Sequence, residues 1–467
     1  LCSMDDIIGL YIYVIYEEAG YQVSLRRGWL ETGADMRVYI ETYGCALNKS
    51  DEALMVENIL REGHELVNSI EDADTLIINT CIVRLDTEYH MVKRIRELYE
   101  VASRTGKKLI VAGCMAKAEP YTVLKIAPEA SLVSPQNSAL ITEVLKTRGK
   151  VILIDGLRER DRIGIHVEDR IAPIPIQEGC LSNCSFCITK HARRILVSHG
   201  IDAVVKAVER AVRNGAVEIQ LTGMDLGTYG LDLYKTRKLP ELVKEVSRRV
   251  SGEYMIRIGM INPEHLRYIL DDLIDAINES SKVYRFLHIP LQSGSNKVLS
   301  VMRRNYSVEE YIEIVNEVKS RIPGVSIATD IIVGHPMEDE EDFNETLKVI
   351  RELEFERVHL AGYSIRPLTY SASLPQVPTR VKKERVLRAL QVIEEVGLKI
   401  RLKYVGKEVE CFTTEHLNTW ICRLENYIPV VVTGKSGDPA LDYGRWIRVL
   451  VDNATFFDLR GRFLESK

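Results

Sequence analysis

The 467 residues hold no apolar run near the roughly 18 that a membrane-spanning helix needs, so no membrane attachment of that kind is expected. The longest early run, Ile7 to Tyr16, is too short and is followed at once by Glu17 and Glu18. A basic start and a small-residue cleavage site are also missing, so the run does not read as a signal peptide. Excess charge of one sign is lacking: a net charge of −5 excludes a protein that holds nucleic acid by bulk charge, and leaves only a local basic face. A disulfide framework is excluded as well, because nine cysteines are an odd number in a long chain without an export signal. Short-period repeats and low-complexity tracts are absent. What remains is a cytoplasmic protein whose thiols are reduced or bound to metal. Its 46% hydrophobic and 28% charged residues are those of a globular chain, and its length suggests about three domains.

The hydrophobic pattern divides the chain. Residues 1–35 read as an N-terminal extension with a helix from Asp5 to Gly20, and Met36 could be the natural start. Over 36–147 strands (Arg37–Thr42, Thr75–Asn79, Lys108–Ala112) alternate with helices (Ser50–Arg61, Thr87–Arg104) that stop near Gly63 and Gly106. That alternation predicts a parallel sheet covered by helices. A charged, turn-rich connection follows over 148–170. The block 166–397 repeats the alternation with strands at Ile171–Ile176, Val217–Thr222, Tyr254–Gly259, Arg285–Pro290, Val325–Val333 and Arg357–Tyr363, which predicts a (β/α) partial barrel. From 398 to 462 the runs are short and β-type, as in a small all-β domain. The fold class is therefore α/β with a C-terminal β appendage.

Two sets of cysteines carry chemistry. Cys180, Cys184 and Cys187 stand at spacings of four and three, just beyond the strand Ile171–Ile176. A structural zinc site wants four ligands, and a fourth is missing nearby unless Cys411 or Cys422 is borrowed. A 4Fe–4S cluster on three thiolates leaves one iron open. That open iron is what a radical S-adenosylmethionine (SAM) enzyme needs to chelate the methionyl amine and carboxylate of SAM before releasing a 5′-deoxyadenosyl radical. Phe186, inside the motif, is placed either beside the adenine of SAM or as a local core anchor. Cys45, Cys81 and Cys114 each follow a predicted strand immediately. In a parallel sheet such strand ends share one edge, so they read as a second cluster site or as three small residues capping strands.

Longer motifs surround these cysteines: Glu41-Thr42-Tyr43-Gly44-Cys45-Ala46-Leu47-Asn48-Lys49-Ser50-Asp51, Asn79-Thr80-Cys81, Val111-Ala112-Gly113-Cys114, Gln177-Glu178-Gly179-Cys180, Leu221-Thr222-Gly223-Met224-Asp225, Leu287 to Ser295, Met302-Arg303-Arg304 and Thr329 to Gly334. With them the chain resembles the radical SAM methylthiotransferases, in the archaeal and eukaryotic branch acting on threonylcarbamoyladenosine in tRNA. The resemblance runs from about Met36 to the C-terminus. It implies a cluster-binding N-terminal domain, a radical SAM core and a TRAM domain contacting RNA. It further implies two 4Fe–4S clusters, SAM, a tRNA substrate, an electron-donor protein and a monomer. The implied product carries a methylthio group on carbon 2 of the adenine, a position without an acidic proton or a leaving group. Two loops depart from the family pattern. A Gly-Phe-Pro-Gly-Glu-Thr run appears as Gly334-His335-Pro336-Met337-Glu338-Asp339, and a Ser-x-Arg-Pro-Gly-Thr run as Ser364-Ile365-Arg366-Pro367-Leu368-Thr369.

Among secondary candidates, Gly223 reads as a close-approach point for SAM or a turn glycine, and Gln292 as a polar contact to the cofactor or a supporting hydrogen bond. Arg193 and Arg194 read as a solvated pair, with SAM carboxylate or RNA phosphate as alternatives. In the C-terminal segment Lys399, Arg401, Lys403, Lys407, Arg445, Arg448, Arg460 and Arg462 are expected to collect on one face for tRNA phosphates. Trp420, Tyr427 and Trp446 read as core or as base-stacking residues, and Cys411 and Cys422 as core. Sister activities remain open: modification of isopentenyladenosine in tRNA, or of a ribosomal-protein aspartate. A non-catalytic iron–sulfur redox sensor that binds RNA is the rival from another class.

Overall fold

A computed structural model describes residues 35–433 and 441–466. The expected helix from Asp5 to Gly20 lies outside the described residues. The chain forms two compact units, one of Leu1–Gly164 with His191–Arg193, the other of Ile165–Lys190 with Arg194–Lys467.

The first unit is built on a six-stranded parallel sheet of β1 (Arg37–Thr42), β2 (Glu65–Leu66), β3 (Thr75–Thr80), β4 (Lys108–Gly113), β5 (Ser131–Val133) and β6 (Ile152–Leu153). Their order is β2-β1-β3-β4-β5-β6, so the chain reverses its direction of growth between β2 and β3. Every residue of β3 is buried, as helix-covered central strands require. The helix Ala46–Arg61 starts four residues earlier than its apolar pattern suggests, because Cys45 is its extended N-cap. Leu85–Thr105 ends at Gly106, in the left-handed region with φ +70°, as its glycine stop predicts. The strands β5 and β6 are too short to leave an alternation in the sequence, and β6 lies within the stretch read as connection.

In the second unit β7 (Ile171–Pro175) leads into a two-stranded ribbon, β8 (Gln177–Glu178) with β9 (Val197–Ser198). Then come β10 (Glu218–Thr222), β11 (Met255–Ile258), β12 (Phe286–His288), β13 (Ser326–Val333) and β14 (Arg357–Gly362). β7, β10 and β11 form one parallel sheet, and β12, β13 and β14 another. Isolated bridges Ile256↔Val283 and Met260↔His288 join β11 to the start and end of the β12 segment. The result is a six-strand partial barrel in sequence order, as the spacing predicts. Ile219, Leu221, Ile256, Ile258, Leu287, Ile327 and Ile331 are at most 1% exposed, while their polar strand neighbours Gln220, Arg257, His288, Asp330 and His359 are only partly covered. The apolar side packs under the helices and the polar side lines the lumen.

The helix Thr379–Leu402 runs through position 398, where the sequence pattern suggests a boundary, since a β-type run is recognisable only once the helical pattern has ended. Beyond it β15 (Glu408–His416), β16 (Trp420–Leu424), β17 (Pro429–Thr433), β18 (Trp446–Ala454) and β19 (Leu459–Ser466) close a barrel in the order β15-β16-β17-β19-β18. The last strand continues past 462 and interrupts its register with β18 twice, which hides its alternation. Cys411, Cys422 and Trp420 fill the barrel core, as expected.

The two departing loops turn where the resembled pattern has glycine. Met337 (φ +70°) and Leu368 (φ +64°) both sit in the left-handed region. Their side chains are 49% and 68% exposed, so little packing offsets the strain. Replacing either by glycine is expected to stabilise the second unit by about 0.5–1 kcal/mol. Denaturant unfolding checks this, and a lowered midpoint would show that these side chains contribute more than their backbone conformation takes away.

Candidate iron–sulfur and SAM site

In the first unit three cysteines leave three adjacent strands at their C-terminal ends. The register Thr80↔Gly113 places Cys81 and Cys114 side by side, and Cys45 follows β1 after the turn Tyr43-Gly44. Gly44 has φ +115°, and a Cβ there would lie 2.7 Å from Cys81 Cβ. Gly113 has φ +88°, and its Cβ would meet Asn79 Oδ1 at 2.4 Å and Thr80 O at 2.6 Å. Both turns therefore need glycine. Burial pushes the Cys114 thiol up to about 12 and also raises Cys81, and negative charge on the companion cysteines raises both further. Only thiols that share a small volume influence one another in this way, and a metal centre has to displace their protons.

Asn48, fully buried, ties the three loops together. Its Nδ2 donates to Tyr43 O (2.8 Å) and Thr80 O (2.8 Å), and its Oδ1 lies 3.5 Å from Cys114 Sγ. Arg193 corrects the expectation of a solvated arginine: it is 1% exposed and belongs to the first unit. Its guanidinium donates to Asp51, to Asn48 Oδ1 (2.9 Å) and to Cys114 Sγ (3.4 Å), while Asp51 also accepts from Arg158. Arg194 is exposed.

In the second unit Cys180, Cys184 and Cys187 lie on the loop after β8. Gly179 (φ +86°) starts it, with Ile195 O only 2.1 Å from where a Cβ would stand. Burial lifts Cys180 to about 12 and raises Cys187, and the charge of Cys184 raises both. Arg304 Nη1 donates to Cys184 Sγ at 3.0 Å, Nη2 to Asn262 Oδ1 at 2.8 Å and Nε to Tyr306 Oη at 2.9 Å. Asn262 holds Ser182 Oγ (2.8 Å), which donates to Glu264 Oε1 (3.1 Å). Next to them Asp225, 1% exposed, meets His265 Nδ1 at 2.5 Å and accepts from Gly227 N and Asn262 N. Asn262, Glu264 and His265 carry no motif that sequence reading singled out. Their signal is three polar residues around a proline, Asn262-Pro263-Glu264-His265, shortly after a barrel strand.

The SAM-contact candidates gather at the same strand ends. Gln177 Oε1, Thr222 Oγ1 and Gln292 Oε1 are buried without a hydrogen-bond partner. Such atoms call for a polar ligand, since leaving one unpaired costs about 1–3 kcal/mol. Gln292 also holds φ +75°, a conformation that tends to mark a ligand site in a non-glycine residue. A Cβ on Gly223 would lie 2.8 Å from Leu226 and 2.9 Å from Gln177, so close packing requires that glycine. Phe186 stands edge-on to His335 with centroids 6.2 Å apart. His335 is fully buried and satisfied by Ser371 Oγ (2.9 Å) and Pro336 O (3.0 Å), and burial depresses its pKa to about 4. Three convergent thiols with orphaned polar atoms beside them fit a cluster with SAM at its open iron.

Most of the basic residues expected to collect on one face of the C-terminal segment are ion-paired. Arg448 pairs with Glu408 and Glu465, Arg460 with Asp458, Arg462 with Asp452, Lys399 and Lys403 with Glu354, and buried Arg401 with Glu356. Among the described residues of that set, Lys407 and Arg445 are left without an ion pair. Tyr427 is turned away from any stacking role: its hydroxyl donates to Glu218 Oε1 at 2.7 Å beneath the partial barrel.

A parallel partial barrel with a three-cysteine loop after its first strand defines a radical SAM enzyme, and residues 174–350 match the Radical SAM superfamily. Residues 37–134 match the uncharacterized protein family UPF0004. The chain is 38% identical to a probable threonylcarbamoyladenosine tRNA methylthiotransferase of Archaeoglobus fulgidus, over 86% of this chain and 94% of that one. The human threonylcarbamoyladenosine tRNA methylthiotransferase is 34% identical, over 75% of this chain and 61% of that protein. A tRNA-2-methylthio-N(6)-dimethylallyladenosine synthase of Aquifex aeolicus is 31% identical over 92% and 99%. The chain belongs to the radical SAM methylthiotransferase family, in the threonylcarbamoyladenosine branch. In fold it is similar to the radical SAM methyltransferase TsrM of Kitasatospora setae, with TM-score 0.56 and 14% identity over 72% of this chain and 75% of that one.

Proposed function

We propose that the chain transfers a methylthio group to carbon 2 of N6-threonylcarbamoyladenosine, just 3′ of the anticodon in tRNA. One 4Fe–4S cluster is held by Cys45, Cys81 and Cys114, and a second by Cys180, Cys184 and Cys187 with SAM at its open iron. The observation that carries this reading is the gathering of six thiols into two trios at strand ends in a chain of this family. When bound, the second cluster supplies the electron that cleaves SAM, which opens a carbon–hydrogen bond that acid–base catalysis cannot.

The chain's own residues position and shield. Arg304 keeps a fixed cation against Cys184, and Arg193 keeps one against Cys114. Each offsets negative charge that ligand thiolates bring into a buried place. Gln177, Thr222 and Gln292 offer oxygens to SAM, Gly223 lets the backbone approach it, and Phe186 flanks its adenine. The substrate is a tRNA met in the cytoplasm, the chain acts as a monomer, and the electron comes from a donor protein. No helix among the described residues is long and apolar enough to cross a membrane. With most basic side chains of the C-terminal barrel ion-paired, Lys407 and Arg445 are the first candidates there for phosphate contacts.

Mass spectrometry of tRNA nucleosides after anaerobic reaction tests the assignment. A methylthio gain on threonylcarbamoyladenosine is expected. A gain on isopentenyladenosine alone would transfer the chain to the sister activity, and tRNA binding without SAM cleavage would favour the redox sensor.

A further inference from the structure

The lumen of the partial barrel holds polar residues that none of the chemistry above uses. The strand register sets Arg257 beside Gln220 and His359 beside Asp330, on the lumen side of β10, β11, β13 and β14, and His288 joins them from β12. His288 Nε2 meets Asp330 Oδ1 at 3.1 Å, and the rings of His288 and His359 are 5.2 Å apart. Arg257 lies over the faces of Phe286 (5.2 Å) and Tyr427 (5.6 Å), and among the described residues its guanidinium makes no hydrogen bond or ion pair. Below this layer the floor is satisfied: Glu218, fully buried, accepts from Arg423 Nε (2.9 Å), Tyr427 Oη (2.7 Å) and Gln220 Nε2 (2.7 Å).

A partly covered guanidinium with a free fork of donors is matched to a planar anion, above all a carboxylate. Around it stand a hydrogen-bonded His288–Asp330 pair and the imidazole of His359. Burial, with the charges of His288, Arg357 and Arg257, depresses the pKa of His359 to about 4, so the ring is neutral and can both donate and accept. The group that suits this set carries a carboxylate together with neutral hydroxyl or amide functions. We propose that Arg257, His288, Asp330 and His359 form the binding site for the threonylcarbamoyl group on N6 of the substrate adenosine, with Arg257 taking its carboxylate. This rests on the substrate reading above.

The placement agrees. Asp330 lies three residues before the end of β13 at Val333, and its backbone carbonyl accepts from Gln292 N at 2.8 Å, so the lumen set directly adjoins Gln292 at the mouth of the barrel. An adenine whose carbon 2 faces that mouth carries its N6 substituent on another edge of the ring, free to reach into the lumen. His288, Asp330 and His359 also have their ligand atoms within 4.8 Å of one another, close enough for a divalent cation. Arg257 and Arg357 beside them oppose a cation and favour an anion.

The test compares the holoenzyme's equilibrium affinity for one tRNA with and without threonylcarbamoyl on the target adenosine. The unaltered chain is expected to prefer the modified tRNA by roughly tenfold or more. Arg257→Met reduces that preference to within about twofold while binding of the unmodified tRNA holds, Arg257→Lys recovers part of it, and His359→Asn reduces it in a protein with only a partly exposed ring changed. Equal loss of both affinities in Arg257→Met and His359→Asn, or a preference that survives them, overturns the assignment. So does a stoichiometric non-iron metal that disappears in His288→Asn. A wild type that forms methylthio product on the modified tRNA without preferring it in binding overturns only the lumen assignment. A wild type that forms no such product overturns the substrate reading itself.

Discussion

Cys184→Ala, reconstituted anaerobically, is expected to hold about four iron atoms where the unaltered chain holds about eight, and to release no 5′-deoxyadenosine from SAM above background. Cys81→Ala is expected to lose the other four and to form no methylthio product. The two trios are separate constructions. One stands on β1, β3 and β4 of the first sheet, with Asn48 joining its loops, and the other on the loop after β8, with Arg304 against Cys184. Losing one thiol would leave two to hold one cluster and touch none of the three that would hold the other. The thiols themselves are ready for metal and little else. Burial lifts Cys114 and Cys180 to about 12, so as free thiols at neutral pH they are protonated and poor nucleophiles. Iron and sulfide analysis with electron paramagnetic resonance of the reduced proteins measures the outcome. Zinc in place of iron, or the loss of all iron from either single substitution, would break the two-cluster reading.

How much of this was legible depends on how local the cause was. Thr80-Cys81 and Gly113-Cys114 announce themselves, because each cysteine follows its strand pattern directly and parallel strands end along one edge. The six core strands are legible for the same reason: each is an apolar run between turns, repeated at a steady spacing. Arg193 was not, since its partner Asp51 lies 142 positions away and its nearest neighbour, Arg194, is a surface residue. The mixed charge of the C-terminal barrel was hidden likewise: Arg448 meets Glu408 across 40 residues and Glu465 across 17, on two different strands. Composition shows the cations there, while only strand pairing shows that they are neutralised. The lumen residues fall between these cases. Arg257 and His288 stand between buried apolar residues, so their side of the strand is readable; Asp330 stands between buried Thr329 and Ile331 and His359 between half-buried Val358 and Leu360, where the alternation is weaker, and which of the four meet depends on barrel closure.

Asp51→Ala is expected to cost the first unit about 3–5 kcal/mol and to remove the iron bound to Cys45, Cys81 and Cys114. Asp51 is 2% exposed and accepts from Arg158 and Arg193, themselves almost wholly buried. Without the carboxylate two guanidiniums face each other away from water, each deprived of its counter-charge. The gain from pairing buried charges is small, but breaking such a pair leaves the full desolvation penalty in place. The loss also reaches the cysteines, because Arg193 is the residue that Asp51 holds against Asn48 and Cys114. Asp51→Asn retains an acceptor of the same shape and is expected to lose less stability. Arg193→Lys keeps the charge but surrenders the fork that spans Asp51, Asn48 and the sulfur together. It is therefore expected to fold while shifting the reduction potential of the cluster on Cys114. Hydrogen exchange over Ala46–Arg61 and Thr75–Thr80 reads the stability, and redox titration reads the cluster. Should Asp51→Ala stay within about 1 kcal/mol of the unaltered chain, or Arg193→Lys leave the potential where it was, the buried cation would be packing alone, with no hold on the metal centre beside it.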